Sequence, residues 1–181
     1  MKVCGMTRAE DAEAAAFVGA DFLGFIFYPK SPRNLSLEQF EKLLPDLPDL
    51  PKVAVLVSPE ISFIDSLEPL GFDYFQIHFP MNSDSIDRTK AWSERLSPSS
   101  LWLAPKIRPG ESIEEASLKY ADAWMWDAYR KDAFGGTGQT SDWAAFREVS
   151  ASYPDKRWTL AGGLGPGNVA DAVRQTGAKR I

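Results

Sequence analysis

The sequence predicts an α/β protein, a single (β/α)8 barrel over residues 1–181. Two observations carry that expectation. Runs such as Phe22 to Tyr28 (FLGFIFY) and Val53 to Val57 (VAVLV) are too continuously apolar to alternate, as strands of a parallel sheet covered on both faces must be. Segments of helical character separate these runs, and the strand–helix pair recurs seven times before a last strand onset at Lys179 to Ile181. Right-handed βαβ crossovers would close such a repeat into a barrel. A doubly wound open sheet is the competitor, but it usually carries a glycine-rich fingerprint after its first strand, where this chain has Cys4-Gly5-Met6-Thr7. The chain ends at Ile181, where strand eight should run, and lies below the roughly 200 residues usual for the architecture, so the barrel is expected to be incomplete there.

In chain order, Met1 to Cys4 reads as a short strand and Gly5-Met6-Thr7 as a turn into an Ala-rich helix, with Thr7 as N-cap, Glu10 at capping-box spacing and Gly19 as the stop. Strand two is Phe22 to Tyr28, Pro29 to Asn34 a loop, and Ser36 the cap of a helix over Leu37 to Leu44. After the proline-rich PDLPDLP come strand Val53 to Val57, helix Ile61 to Leu70, strand Tyr74 to His78 and helix Ser85 to Leu96. Strand Leu101 to Ile107, helix Ser112 to Tyr120 and strand Ala123 to Asp127 follow. Beyond a glycine turn the pattern resumes with helix Asp142 to Ser152, strand Arg157 to Ala161 and helix Gly167 to Thr176.

Composition narrows the function. The chain is 44% hydrophobic and 25% charged, which suits one compact domain with a substantial core. A net charge of −5 and a pI near 5.0, without a Lys/Arg-rich run, argue against nucleic acid or an anionic membrane as partner. A small anion can still be bound by local backbone dipoles. No apolar stretch approaches the ~20 residues that span a bilayer, and the N-terminus reads as a strand rather than a signal peptide, so a cytoplasmic address is expected. With Cys4 the one cysteine and His78 the one histidine, an internal disulfide, a cysteine cluster and a His-rich metal site are all excluded.

The barrel gathers the C-terminal ends of its strands on one face. Those ends hold Cys4, Arg33 after strand two, His78 from strand four, Lys106 from strand five, Asp127 from strand six, and the glycine turns Gly135, Gly136, Gly138 and Gly162-Gly163. An acid and a thiol across a barrel mouth suit a reaction that protonates one atom and removes a proton from carbon elsewhere, and such proton transfer needs no cofactor. The two glycine turns, with the helix start at Pro166-Gly167-Asn168, fall near the usual phosphate site of these barrels. Each residue also has a plainer reading: Cys4 as a small core hydrophobe, Arg33 as a solvated loop cation, His78 as a rim or structural residue, the glycines as tight turns. A thiol of ordinary pKa, about 8.5, is only slightly ionised at neutral pH, and Lys2 on the face of Cys4 and Lys106 are the cations that could lower it. Trp124 and Trp126 flank the acid strand and, by alternation, should not both share the face of Asp127.

These residues carry a family resemblance. Lys2-Val3-Cys4-Gly5-Met6-Thr7-Arg8 with Asp11, Gly19-Ala20-Asp21, Gly24-Phe25-Ile26-Phe27, Ser31-Pro32-Arg33 and Gln76-Ile77-His78 resemble phosphoribosylanthranilate isomerase of tryptophan biosynthesis. So do Asp127, Gly135-Gly136-Thr137-Gly138, Asp142-Trp143 and Leu160-Ala161-Gly162-Gly163-Leu164 with Pro166 and Asn168-Val169, in the same order along essentially the whole chain. The resemblance implies an Amadori rearrangement of N-(5-phosphoribosyl)anthranilate to 1-(2-carboxyphenylamino)-1-deoxyribulose 5-phosphate, with neither metal nor cofactor. It makes Asp127 the general acid at the ribose ring oxygen and Cys4 the base at C2′. Arg33 becomes the holder of the anthranilate carboxylate, for which a guanidinium fork has the right shape, and the glycine turns the holders of phosphate. The partner implied is this small phosphosugar, with the protein a monomer or a homodimer. Two departures stand out: Phe79-Pro80 follows Gln76-Ile77-His78 where the family usually has Gly, and the family's Asp and Ser-Gly turn on and after strand eight lie beyond Ile181. A non-catalytic or degraded phosphosugar-binding barrel is therefore the alternative.

Overall fold

The computed structural model describes residues 1–108, 110–129 and 140–181, which divide into two compact units, Met1–Ile77 and His78–Ile181. In the first, β1 (Lys2–Cys4), β2 (Phe22–Phe27), β3 (Lys52–Val57) and the start of β4 (Tyr74–Pro80) alternate with the helices α1 (Ala9–Phe17), α2 (Leu37–Leu43) and α3 (Ile61–Leu67). The strands lie in chain order, with β1 parallel to β2 and β2 parallel to β3. Register sets Lys2 beside Phe22, Cys4 beside Gly24 and Gly24 beside Val53.

The core of this unit follows from the pleat. Side chains of successive strand residues point to opposite faces, so Leu23, Phe25 and Phe27 share one face of β2 and Gly24 and Ile26 the other. Phe25 and Phe27 meet Phe40 of α2 edge-on at 4.9 and 5.8 Å between ring centroids. Phe40 in turn stacks on Phe72 at 4.6 Å, and Phe27 stands perpendicular to Phe72 at 5.6 Å. Each such pair adds about 0.5–1.5 kcal/mol beyond the apolar area it buries. Helix α2 enters this core with its first turn closed: Ser36 Oγ accepts from the Gln39 amide and Gln39 Oε1 from the Ser36 amide.

The second unit holds the end of β4, α4 (Ser85–Leu96), β5 (Leu101–Lys106), β6 (Ala123–Trp126), α5 (Trp143–Ser152), β7 (Arg157–Leu160) and α6 (Val169–Thr176). Here β5, β6 and β7 are parallel and in chain order, Trp102 lying beside Ala123 and Trp126 beside Leu160. Trp124 is buried against Trp158 at 6.2 Å, and its indole N–H donates to the Ala121 carbonyl. Phe79, which follows His78 where a family glycine was expected, points into the core edge-on to Trp92 of α4 at 5.5 Å.

Four sequence expectations are corrected. The first helix is capped by Arg8, not Thr7, because extended backbone persists through Arg8, whose side chain turns to Asp11 instead of the helix amides. The helix expected over Ile61 to Leu70 is α-helical only to Leu67 and tightens to a 3-10 turn at Glu68–Leu70, where Pro69 has no N–H to continue the ladder. The helix expected over Ser112 to Tyr120 is a 3-10 helix at Glu115–Tyr120, with the Ser117 hydroxyl donating to the Glu114 carbonyl. Lys179 to Ile181, where a strand onset was expected, forms no strand; the Arg180 carbonyl accepts the Leu160 amide at 3.0 Å. Among the described residues no helix is long and apolar enough to cross a membrane.

Candidate functional site

Within the first unit, the end of β1 and the loop after β2 build one constellation. Gly5 and Met6 both donate their amides to the Gly24 carbonyl, at 2.8 and 3.1 Å, so the chain turns sharply as it leaves Cys4. The turn puts Gly5 at φ +87°, in the left-handed region that an L side chain resists. Across it lies Arg33, whose Nη1 donates to the Cys4 carbonyl at 2.8 Å. Arg33 is aimed by its own loop: Ser31 and Asn34 amides donate to the Tyr28 and Ser31 carbonyls, the Arg33 amide donates to Ser31 Oγ at 3.2 Å, and the Leu35 amide returns to the Ile26 carbonyl.

The thiol of Cys4 is half-buried and has its space made by a glycine on the neighbouring strand. A Cβ at residue 24 would stand 2.9 Å from Cys4 Sγ. Lys2, on the same face, donates through Nζ to Gln76 Oε1. The structure thus brings Cys4 and Arg33 together and gives Lys2 a polar neighbour from β4.

Within the second unit, Asp127 follows directly on β6 and is half-buried. Its Oδ1 accepts the Ala128 amide at 2.7 Å, which fixes the carboxylate at the strand end. Gly162, at φ +88° after β7, comes so close that a Cβ there would lie 2.5 Å from the Ala128 nitrogen. The β6–β7 ladder continues into this contact, Ala161 donating to the Trp126 carbonyl at 2.8 Å. Gly163, also left-handed, is held by Asn168: Nδ2 donates to the Gly163 carbonyl and Oδ1 accepts the Gly165 amide, both at 2.8 Å. Gly162 and Gly163 therefore form a braced turn beside the acid. Gly135, Gly136 and Gly138 lie outside the described residues.

A cleft of about 200 Å³ opens beside Asp127, bounded by Trp126, Arg108, Tyr129 and Asp142 among others. Lys106 ends β5 with its ammonium 5.7 Å from the Tyr129 ring centroid. The Tyr129 side chain and then the Glu111 carboxylate hold the Arg108 guanidinium above its ordinary pKa, so its charge is assured. His78 is buried within β4, at 8% exposure, which fits the structural reading better than a place on the rim.

Chemically, the first unit offers a thiol with a guanidinium tied to its own backbone, and the second a carboxylate with a glycine turn against it. Cys4 and Asp127 both stand at C-terminal strand ends, the location of chemistry in parallel barrels. Sequence reasoning took Gly24 only as part of a motif. A glycine inside an otherwise wholly apolar strand is the signal of close approach that would have singled it out. Arg108 and Tyr129 were passed over because neither belongs to a motif; a basic residue just past a strand end was the available cue.

A family model described as N-(5'phosphoribosyl)anthranilate (PRA) isomerase matches residues 1–181. A protein of Neisseria gonorrhoeae (strain NCCP11945) named N-(5'-phosphoribosyl)anthranilate isomerase is 34% identical over 184 residues, covering 99% of this chain and 83% of its own. Among solved structures, TrpF from Jonesia denitrificans superposes with a TM-score of 0.74 at 29% identity, over 98% of this chain and 81% of its own. A phosphoribosyl anthranilate isomerase in complex with reduced 1-(o-carboxyphenylamino)-1-deoxyribulose 5-phosphate superposes with a TM-score of 0.69 at 26% identity, over 99% of this chain and 84% of its own. The α/β fold of TIM-barrel type expected from the strand–helix repeat is thus established. With sequence and fold agreeing along its whole length, the chain belongs to the N-(5'-phosphoribosyl)anthranilate isomerase family.

Proposed function

We propose that the chain isomerises N-(5'-phosphoribosyl)anthranilate to 1-(2-carboxyphenylamino)-1-deoxyribulose 5-phosphate, with Asp127 as general acid and Cys4 as general base. What supports this reading above all is that a thiol ends β1 and a carboxylate follows β6 in a chain that matches the isomerase family from end to end. Asp127 protonates the ribose ring oxygen, the C1′–O bond breaks, and the nitrogen lone pair forms the Schiff base. The amide of Ala128 holds the carboxylate in place through Oδ1. Cys4, as thiolate, then takes the C2′ proton, and the electron pair left behind neutralises the iminium to give an enolamine. Tautomerisation to the ketone completes an internal redox change in which C1′ is reduced and C2′ oxidised, so the balance requires no external oxidant.

Arg33 receives the anthranilate carboxylate: its Nη1 donates to the Cys4 carbonyl, and the side chain is exposed, with further N–H donors in its fork. Gly162 and Gly163 take the phosphate through backbone amides, the role that the family resemblance also gives to Gly135, Gly136 and Gly138. Fluorescence loss of substrate formed in situ from anthranilate and phosphoribosyl pyrophosphate tests the reading. Cys4→Ala and Asp127→Asn should each lower turnover by at least about 100-fold, the usual worth of a positioned acid or base, while a phosphate-bearing product analogue still binds. Parent-like rates in either variant would overturn it.

A further inference from the structure

We propose that Gly5 is a positioning residue, one that lets the Arg33 guanidinium lock the backbone of Cys4 while still presenting its fork to a carboxylate. The inference rests on the functional reading above, and three features of the geometry carry it. Arg33 donates to the Cys4 carbonyl. A Cβ at residue 5 would lie 2.6 Å from Arg33 Nη1 and 2.8 Å from its Cδ and Cζ. Gly5 itself is held left-handed, since its amide and that of Met6 share the Gly24 carbonyl. The side chain missing at residue 5 is thus the space in which the guanidinium lies, and carboxylate binding and base placement are two ends of one hydrogen-bonded unit.

The atoms a methyl group would strike belong to a flexible side chain, so Gly5→Ala displaces Arg33 rather than the backbone. The chain supplies its own control in Gly19, which has φ +86° against +87° at Gly5, while a Cβ at residue 19 would meet no atom within 4 Å. Gly5→Ala and Gly19→Ala therefore place a side chain at nearly the same left-handed φ, and only the first meets the guanidinium.

The experiment compares kcat and KM in Gly5→Ala, Gly19→Ala, Arg33→Ala and the double variant Gly5→Ala/Arg33→Ala. With one cysteine in the chain, 13C-carbonyl cysteine labelling gives a single resonance that reports the Arg33 hydrogen bond. Gly5→Ala should lose about 100-fold in kcat/KM, the scale of a misplacement on the order of 1 Å, and shift the resonance to the position seen in Arg33→Ala. The double variant should lose no more than Arg33→Ala alone, because both act through one contact. Gly19→Ala should keep parent kinetics and the parent resonance. If Gly5→Ala does not fold, Arg33→Lys carries the test: it keeps the charge but not the fork, and should move the resonance and lower both kcat and 1/KM. Parent-like kinetics in Gly5→Ala, losses that multiply in the double variant, or an unmoved resonance would each overturn the proposal. A parent chain without turnover overturns the functional reading instead, and the resonance then decides the Gly5–Arg33–Cys4 contact by itself.

Discussion

Gly162 leaves the space that Asp127 occupies: a Cβ on residue 162 would stand 2.9 Å from Asp127 Oδ1 and 2.7 Å from the Ala128 Cβ. The obstruction there is backbone as well as side chain, and at φ +88° a methyl group is already strained. Gly162→Ala is therefore expected to cost about 1–3 kcal/mol in stability, through strain and overpacking together. It should also lower kcat by at least about tenfold by moving the carboxylate. Thermal unfolding with steady-state kinetics checks both, and a variant with parent kcat would show that Asp127 tolerates displacement.

Gly24 gives a purely steric counterpart beside Cys4. Its backbone is not left-handed, so Gly24→Ala adds only a methyl group 2.9 Å from Cys4 Sγ and 3.2 Å from Cys4 Cα. The thiol must rotate away or β1 must shift, at about 1–3 kcal/mol. The alkylation rate of the single thiol should change together with kcat, and a changed stability with unchanged alkylation would place the accommodation elsewhere.

Ser141 predicts the opposite sign. Among the described residues its hydroxyl is buried without a hydrogen-bond partner, while its amide donates to the Gly162 carbonyl at 3.4 Å. Removing the hydroxyl removes an unsatisfied polar group and leaves the amide bond in place. Ser141→Ala should thus gain up to about 1 kcal/mol in denaturant unfolding, and a loss of that size would show the hydroxyl to be satisfied in solution.

Acid sensitivity should register at the first turn of α1. Arg8 donates to Asp11 through Nε at 2.9 Å and Nη2 at 2.6 Å, and this hydrogen bond, then its charge, holds the Asp11 carboxyl below the ordinary value. A carboxyl depressed in the folded state contributes stability that is present above its unfolded pKa and is lost as pH falls through the folded one. The pair is exposed and its contribution small, so the signature is a trend. The difference in Tm between the parent and Asp11→Asn should shrink as pH drops below about 4, and a constant difference would deny the pair any part in acid stability.

The strands were readable because burial on both faces leaves long apolar runs, and β2 and β3 begin and end within one residue of expectation. Ser36 was readable as a cap because its partner Gln39 stands at capping-box spacing. Thr7 misled because the same side-chain chemistry predicts a cap whether or not a preceding turn delays the helix, and that delay comes from the Gly24 carbonyl, far away in sequence. The site divides the same way. Cys4, Arg33 and Asp127 stood out by residue type and place at strand ends, whereas the space kept by Gly24 depends on register between strands, which composition does not encode.

The phenylalanine lattice beneath β2 has a kinetic side. Phe25 and Phe40 are wholly enclosed and locked ring against ring with Phe27 and Phe72, so β2 can open only by dismantling them. Its amides should then exchange with deuterium among the slowest in Met1–Ile77, while those of the exposed Thr7 and Arg8, past the Gly5 and Met6 amides that the Gly24 carbonyl holds, exchange earlier. A stiff floor of rings thus keeps β2 in place, and with it the Gly24 carbonyl that grips the chain where it leaves Cys4.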